Sequence, residues 1–358
     1  MRLLQLTIAL VFDTCVLPQR GSISSNIFFS VLFQISRIRG YRLLISEMTQ
    51  VESLGYRRRA ASAALDDLRS AIREAAKYFE ADEVSYYLPS EDDVIQRWED
   101  ELSSFELIPI AGEDAIAALR READRIPPAR ATPDGSAVGS RDAAIWLSVR
   151  RFHLSGGAEQ VTYFVSSNST DFGAKSNKRL LRSELLEELR DARDRFFYFP
   201  NLSSLVESFA DKLATLDISR EYLRSLQENL QIDSLIAASA RRMIPSSSEC
   251  ETVGDRIALV DAQEKSAFGV DGNRLSLLLV EFDFFILLRN ENGYLTSKYG
   301  GQARIWLYDA NGVATVELDQ LRPMTHVETV VLDSVLDALG GDGSSGSVEG
   351  VGPQALGD

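Results

Sequence analysis

Four acidic residues lie at the ends of apolar runs, where they could contribute to metal chemistry. Asp13 ends the strand-like part of LVFDTCVL, Glu52 lies in LLISEMTQVES, Asp142 lies in GSRDAAIWLSV, and Asp171 lies near the end of VTYFVSSNSTDF. Hard divalent cations such as Mg²⁺ and Mn²⁺ prefer several carboxylate oxygens at one point, and they activate water for phosphodiester hydrolysis. The set therefore favours a metal-dependent nuclease, provided that the fold brings the four side chains together.

Each of these residues also has an ordinary structural use. An Asp after a strand often caps a turn, which would account for Asp13 and Asp171 without any chemistry. An acidic residue in the first turn of a helix is stabilised by the helix dipole, which would account for Asp142. Glu47 competes with Glu52 for the role on the same helix. Glu52 is preferred because Glu47 lies next to the helix start, where the dipole is a sufficient explanation.

The positioning elements follow from the apolar pattern. Short continuous apolar runs separated by helical stretches are typical of parallel strands that are covered on both faces. The predicted strands are residues 3–12, 42–45, 105–110 and 161–165. This alternation predicts the α/β class with a central parallel sheet. Because ligands bind at the carboxyl edge of such sheets, Asp13 is expected at a binding edge.

Helices are predicted between these strands. One spans about residues 24–38, and a long charged helical region follows from Met48 to about residue 104, with Ser46 as its cap and a break near Leu88-Pro89. A loop rich in Pro and Gly, residues 126–139, leads to Asp142. The helix that begins there carries three apolar residues on one face, namely Ile145, Val149 and Phe152.

The sequence pattern changes from helical to β-type in the second half of the chain. Residues 179–243 are predicted to be helical, and a Ser-rich break at 245–249 follows. Beyond it lie β-type runs, with Asn311-Gly312 as a hairpin signal, and a Gly-rich tail at 340–358 that is predicted to be disordered. The predicted division is an α/β domain at 1–200, a helical connector at 201–245, a small β-rich module at 250–335 and the tail.

Composition limits the functional classes. The chain has 358 residues, 45% of them apolar, and a formal net charge of -15. That charge opposes binding of nucleic acid over the whole surface, so such a substrate needs divalent cations or a local basic rim. The rim candidates are Arg141, Lys175, Lys178 and Arg179. Only two histidines occur, which nearly excludes histidine chemistry.

The same composition bears on localisation. Two cysteines give no disulfide framework or cysteine-rich zinc site, so a reducing, cytoplasmic setting is the expectation. The run NIFFSVLFQI is about half the length that a membrane span requires, so no association with a membrane is expected. The chain also lacks GxxxxGK[ST] and GxGxxG motifs, so no sequence motif supports a nucleotide cofactor.

The four acidic segments together carry a family resemblance. LVFDTCVL, QVES, SRDAAIW and FVSSNSTDF resemble, in this order, the motifs of PIN-domain nucleases over about residues 7–190. The resemblance implies a PIN-like three-layer α/β/α domain that acts as a nuclease, and an endoribonuclease that cuts single-stranded RNA is the favoured form. The sequence leaves RNA versus DNA and internal versus terminal cutting open. It implies that Mg²⁺ or Mn²⁺ is held by the four carboxylates, with accessory polar groups. Carried over to this chain, the metal ligands are Asp13, Glu52, Asp142 and Asp171, and the accessory residues are Thr14 and Asn168.

Two departures from the family pattern stand out. Cys15 occupies a position where the family often has Asn or Ser, which weakens the polar support beside the metal. The gap of 129 residues between Asp13 and Asp142 exceeds that of compact members, which suggests inserted helices between Ala60 and Glu101.

Other functions stay open at this stage. The domain could be a PIN-like scaffold that binds nucleic acid or a partner protein without catalysis. It could also be a Mg²⁺-dependent hydrolase of small phosphoesters, although the second Asp of a DxDxT pattern is absent after Asp13. The C-terminal module could bind a partner or form a homo-oligomer. Its aromatic residues are expected to form a core rather than a base-stacking surface, and they are Phe282, Phe284, Phe285, Tyr294, Tyr299 and Trp306.

Overall fold

The structure is a computed structural model that describes residues 6–78, 90–230, 232–243, 251–290, 293–308 and 313–324. The chain divides into two compact units, Met1–Ala210 and Asp211–Asp358. The sequence-based boundaries at residues 200, 245 and 335 stay a prediction. Among the described residues, no helix combines the length and the apolar character that crossing a bilayer demands.

The first unit is built on a five-stranded parallel sheet. Its strands are β1 (Thr7–Phe12), β2 (Arg42–Ser46), β3 (Glu106–Ile108), β6 (Gln160–Val165) and β7 (Phe196–Phe199). Across the sheet they lie in the order β3-β2-β1-β6-β7. The chain leaves β1 toward β2 and later returns on the other side as β6. The strand order thus reverses between β1 and β6, and such a switch point is where open α/β sheets bind ligands.

Helices cover both faces of this sheet, so the predicted three-layer α/β/α class is confirmed. On one face, Trp146 and Val149 of a central helix pack with Ala9 and Val11 of β1 in a buried core. On the other face, the Phe29 ring lies 5.2 Å from that of Phe12. The helices are α1 (Ile27–Arg39), α2 (Glu47–Ala75), α3 (Glu91–Leu102), α4 (Gly112–Asp124), α5 (Ser140–Ser155), α6 (Ser183–Glu187) and α7 (Leu202–Glu207).

Local sequence explains where the site-bearing helices begin. Ser46 caps α2 by accepting a hydrogen bond from the Thr49 N–H at 3.0 Å, as the sequence predicts. The apolar face of α5 is buried in the core, with Ile145 and Val149 enclosed and Phe152 packed at its margin. Both helices therefore present their first turns at the carboxyl edge of the sheet.

A small hairpin precedes α5 within the loop that the sequence predicts. It consists of β4 (Arg130–Ala131) and β5 (Ala137–Val138), with Arg130 paired to Val138. Gly139 ends the hairpin at φ +116°, and a Cβ there would lie 2.8 Å from the Ala129 Cα. Only glycine combines this backbone angle with this close approach.

The helical prediction for residues 179–243 is wrong in part. The segment contains β7, and it also contains β8 (Asp211–Leu213), which pairs with a strand of the second unit. Phe196 of β7 is buried in the core of the first sheet. A run as short as FFYF carries no period that separates strand from helix, so its pairing with β6 decides its conformation.

The second unit is an antiparallel sheet with the order β12-β11-β10-β9-β8 and two helices packed on it. Phe282, Phe284 and Trp306 are buried, in agreement with a core role. Phe282 and Phe284 pack with Ile236 and Ala240. Besides β8, the elements are α8 (Arg220–Leu230), α9 (Ile232–Met243), β9 (Glu251–Val270), β10 (Asn273–Asn290), β11 (Gly293–Tyr308) and β12 (Val313–Met324).

Some sequence predictions lie outside the described residues. These are the break at Leu88-Pro89, the Ser-rich stretch 245–249, the hairpin turn at Asn311-Gly312 and the tail 340–358.

Candidate metal and phosphate site

A cavity of about 480 Å³ opens at the carboxyl edge of the first sheet, beside the switch point between β1 and β6. The predicted acidic residues come from four separate segments of the chain, and all of them line this cavity. The accessory residues Thr14 and Asn168 line it as well. The cavity also contains two arginines, only one of which is among the sequence candidates. The charged residues that line the cavity are Asp13, Glu52, Glu122, Asp142, Asp171, Arg130 and Arg141, and Glu122 accepts a hydrogen bond from the Ser140 N–H at 2.8 Å.

Asp13 is the most deeply buried of the four carboxylates, with 2% of its surface exposed. It directly follows β1, and its backbone N–H continues the ladder by donating to the Val165 carbonyl at 3.0 Å. One carboxylate oxygen accepts from the Thr14 N–H at 2.7 Å, and the other accepts from the Ser166 hydroxyl at 2.6 Å. Burial raises the pKa of Asp13 despite these hydrogen bonds, which by themselves lower it.

Cys15 and Ser166 form the polar support around Asp13. The Cys15 thiol donates to Asp13 Oδ2 at 3.1 Å, and its sulfur accepts from the Ser167 N–H at 3.1 Å. Burial of the sulfur, followed by the charge of Asp13, raises the pKa of the thiol to about 12. Cys15 is therefore a neutral hydrogen-bond donor at pH 7, which is the kind of support that an Asn or Ser would supply.

Asn168 bridges two other carboxylates. Its side-chain Nδ2 donates to Asp142 Oδ1 at 3.1 Å and to Asp171 Oδ2 at 2.8 Å. Burial, followed by the charges of Asp13 and Asp171, raises the pKa of Asp142 to about 7. Negative charge is thus concentrated around Asp142, and the Asn168 amide holds the carboxylates of Asp142 and Asp171 at a fixed separation.

Each of the remaining carboxylate contacts involves an arginine. Arg130 Nε donates to Asp171 Oδ1 at 2.7 Å, and Asp171 is 5% exposed. Arg141 Nη1 lies 2.6 Å from Glu52 Oε1. The outer carboxylates, Asp171 and Glu52, are therefore paired with basic groups, whereas Asp13 and Asp142 are held by neutral donors.

The other basic candidates lie elsewhere. Lys175, Lys178 and Arg179 are exposed on the segment after Asp171, and none of them lines the cavity. Glu47, the competitor of Glu52, accepts a hydrogen bond from the Ile110 N–H at 2.9 Å and so ties α2 to the segment after β3.

His153 is buried away from the cavity. One ring nitrogen lies 2.9 Å from Thr162 Oγ1, and the other lies 3.0 Å from the Ala192 carbonyl oxygen. This environment accounts for the residue as part of the packing.

Sequence reasoning missed Arg130, and it missed the hydrogen bond that joins Ser166 to Asp13. Ser166 directly follows β6, so its place beside Asp13 could have been inferred from parallel pairing of β1 and β6. Arg130 offered no such signal, because it precedes its partner Asp171 by 41 residues within a loop without periodicity.

The donor set fits a hard divalent cation in its chemistry, because all four acidic groups offer carboxylate oxygens. In addition, Thr14 Oγ1 is buried at the cavity and has no hydrogen-bond partner among the described residues. Within the same part of the chain, however, no three His, Cys, Asp or Glu side chains are already grouped as a metal site. The residues thus surround the cavity without converging on one point.

Comparisons with known proteins bear on the first unit. A family model described as a PIN domain matches residues 10–172, a range that includes all four carboxylates. Neither the comparison with curated proteins nor the comparison with solved structures found a match.

Proposed function

We propose that this protein is a metal-dependent nuclease, specifically an endoribonuclease that acts on single-stranded RNA; the match of a PIN-domain family model to residues 10–172 supports this proposal. The family is one of nucleases, which is the coarse basis of the proposal. The choice of RNA, of internal cleavage and of a divalent cation goes beyond the family match and depends on the experiments below.

The observation that carries the proposal is the concentration of acidic groups at one cavity. Asp13, Glu52, Asp142 and Asp171 come from segments up to 158 residues apart, yet all line the same space at the switch point. Their mutual repulsion contributes to the raised pKa of Asp142. A protein retains such repulsion at a cost in stability, and sites with strongly perturbed pKa values are frequently functional.

Each side chain has a role that its contacts support. Asp13 and Asp142 would be the principal ligands of Mg²⁺ or Mn²⁺, because neutral donors orient them and no basic side chain among the described residues is paired with either. Glu52 would join the set after exchanging Arg141 for the cation, and Asp171 would join it while keeping its hydrogen bond from Arg130, because an ionised carboxylate has about four lone-pair sites. When bound, the cation would supply a lowered pKa for a water molecule and neutralise charge on the scissile phosphate.

The protein groups would hold the reacting phosphate in place. Without a cation, the carboxylates would repel both the phosphate and one another. Arg141, whose side chain is 61% exposed, would attract the phosphate at the mouth of the cavity. Lys175, Lys178 and Arg179 would contact more distant parts of a polynucleotide, since they follow Asp171 but lie outside the cavity.

The first experiment is a cleavage assay with purified full-length protein. Labelled single-stranded RNA and DNA are incubated with Mg²⁺, with Mn²⁺ or with a chelator. The wild type is compared with the double variant Asp13→Asn, Asp142→Asn. We expect metal-dependent internal cutting of RNA that the double variant loses by at least about a hundredfold, because charge stabilisation at a reacting phosphate is worth several kcal/mol.

A second double variant provides the matched control. Asp67→Asn with Asp124→Asn removes the same net charge from exposed helix positions outside the cavity. It should cut like the wild type. Cutting that persists in chelator, or that survives in the Asp13, Asp142 variant, would refute the proposal.

A PIN-like scaffold without catalysis is the second candidate. It is favoured by the two arginine ion pairs and by the lack of a preformed three-residue metal group among the described residues. Titration of Mn²⁺ followed by electron paramagnetic resonance separates the two candidates. Binding that the Asp13, Asp142 variant abolishes favours the nuclease, whereas no Mn²⁺ binding together with retained RNA binding favours the scaffold.

The remaining parts of the proposal concern setting and partners. We expect a cytoplasmic protein, consistent with its use of cysteine, whose second unit contacts a partner protein or another copy of the chain. Analytical ultracentrifugation of the full chain and of a chain truncated after Ala210 would test self-association through the second unit. If the full chain and the truncated chain both sediment as monomers, self-association through the second unit is contradicted.

A further inference from the structure

The hairpin formed by β4 and β5 brings a basic group into the acidic cavity. Arg130 lies on β4 and lines the cavity, and its Nε donates to Asp171 Oδ1 at 2.7 Å. The opposite oxygen of Asp171 accepts from Asn168. Asp171 is therefore held from two sides, and it serves as a fixed anchor for the guanidinium of Arg130.

Within the part of the chain that the structure describes, most of the hydrogen-bonding capacity of Arg130 is unused. The side chain is 42% exposed, and its terminal Nη groups make no hydrogen bond with the described residues. A guanidinium carries several N–H donors in a planar fork that matches the oxygens of a phosphate. Because only the Nε of Arg130 bonds to Asp171, both Nη groups can donate hydrogen bonds to a ligand.

The hairpin that carries Arg130 is fixed by its own contacts. The Thr132 N–H donates to the Ser136 carbonyl at 2.8 Å and closes the turn. Arg125 Nη2 donates to the Gly135 carbonyl at 2.8 Å, which ties the turn to the end of α4. At the base of the hairpin, Ala129 lies so close to Gly139 that Gly139 has no room for a side chain. The position of Arg130 is thus preorganised.

The charges that line the cavity make a basic group necessary for binding a phosphate. Five acidic residues line the cavity, namely the four predicted carboxylates and Glu122, and among the described residues only Arg130 and Arg141 add positive charge to its lining. A phosphodiester that enters this cavity must meet positive charge close to the reacting atoms. We propose that Arg130 is a phosphate-positioning residue of this site, anchored by Asp171. The inference rests on the proposed nuclease function, and it adds a residue that the sequence did not suggest.

The test is RNA binding under conditions in which no cutting is expected. In an Asp142→Asn background with Mg²⁺, binding of a labelled single-stranded RNA is followed by fluorescence anisotropy over a series of monovalent salt concentrations. Arg130→Gln is expected to raise Kd about tenfold, because one charge-assisted contact to phosphate is lost. It should also reduce the slope of log K against log salt by about 0.7, the value for one phosphate on a single strand.

Two further variants make the result specific. Arg130→Lys retains a charge but not the planar fork, so it should keep the salt slope and recover only part of the affinity. Arg120→Gln is the matched control, since Arg120 is exposed on α4, does not line the cavity and carries the same charge. It should bind like the background. Thermal melting of each variant verifies that the domain is folded.

The outcomes separate this inference from the proposed function. If Arg130→Gln leaves both Kd and slope unchanged, or if Arg120→Gln weakens binding equally, Arg130 is only a counter-ion of Asp171 and the inference is overturned. If the wild type cuts no nucleic acid with any cation, the nuclease proposal fails. A tenfold loss of RNA binding specific to Arg130 would then still support phosphate positioning by a scaffold. Absence of RNA binding in every variant would overturn both.

Discussion

Replacement of Asp142 by Asn should stabilise the metal-free protein although it should abolish activity. In the folded chain, burial and the neighbouring Asp13 and Asp171 charges raise the pKa of Asp142 from 3.8 to about 7. Because the folded-state pKa lies above the unfolded value, the ionised side chain costs stability as the pH rises through this range. Asn keeps an oxygen for the hydrogen bond from Asn168 and carries no charge.

The size of this effect follows from the pKa difference. A shift of about three units corresponds to at most about 4 kcal/mol above pH 7, at about 1.36 kcal/mol per unit. Asp142 is partly exposed, and solvent screens its repulsion, so we expect an increase of about 1–3 kcal/mol in the free energy of unfolding. For a domain of this size, that corresponds to an increase of very roughly 2–10 °C in Tm.

The assay is differential scanning calorimetry at pH 8 with a chelator, with the transition of the first unit assigned by comparison with a chain truncated after Ala210. The stabilisation should shrink as the pH falls from 7 toward 3.8, where the folded and unfolded states are both protonated at Asp142. Saturating Mg²⁺ should stabilise the wild type, by about 2.7 kcal/mol at a hundred times its Kd, and narrow the difference. An Asp142→Asn protein that melts at or below the wild-type temperature in chelator at pH 8 would refute this reasoning, provided that Asp67→Asn melts normally.

Three further predictions concern the scaffold of the site. Glu188 accepts hydrogen bonds from Arg121 at 2.7 Å and from Arg150 at 2.8 Å. Glu188→Ala leaves both guanidinium groups without this partner, so the free energy of unfolding measured in urea should fall by about 3–5 kcal/mol. A decrease of less than about 1 kcal/mol would contradict the prediction. Burial lowers the pKa of His153 below 6.5, so below pH 6.5 the unfolded chain binds a proton that the folded chain does not, and the free energy of unfolding should fall as the pH drops. His153→Gln should flatten this part of a plot of unfolding free energy against pH, and an unchanged plot would refute the prediction. Gly139→Ala places a Cβ 2.8 Å from a backbone atom at φ +116°, so it should lower the free energy of unfolding by roughly 1–3 kcal/mol and reduce cleavage by displacing the start of α5. Gly135→Ala is the control, because a Cβ there meets open space at φ +84°, and it should lower stability less and leave cleavage nearly unchanged.

Much of the fold was accessible from the sequence because its evidence is local. The continuous apolar run before Asp13 predicts a buried parallel strand, and β1 is one. The spacing of apolar residues after Asp142 predicts the buried face of α5. Ser46 was identifiable as a cap because its side chain bonds three residues ahead in the chain. Interactions within a turn of a helix or along one strand are encoded by neighbouring residues, so sequence patterns record them.

The sequence did not show which residues would become partners across the chain. β7 is a strand because it pairs with β6, whereas its four residues carry no periodic pattern. Arg130 reaches Asp171, and Arg141 reaches Glu52, only after distant segments have packed together. The sequence by itself thus determined which acidic groups stand at the ends of the core elements. The tertiary structure alone decided how their charge is distributed, because ion pairing, burial and mutual repulsion depend on distances between atoms that the chain order does not specify.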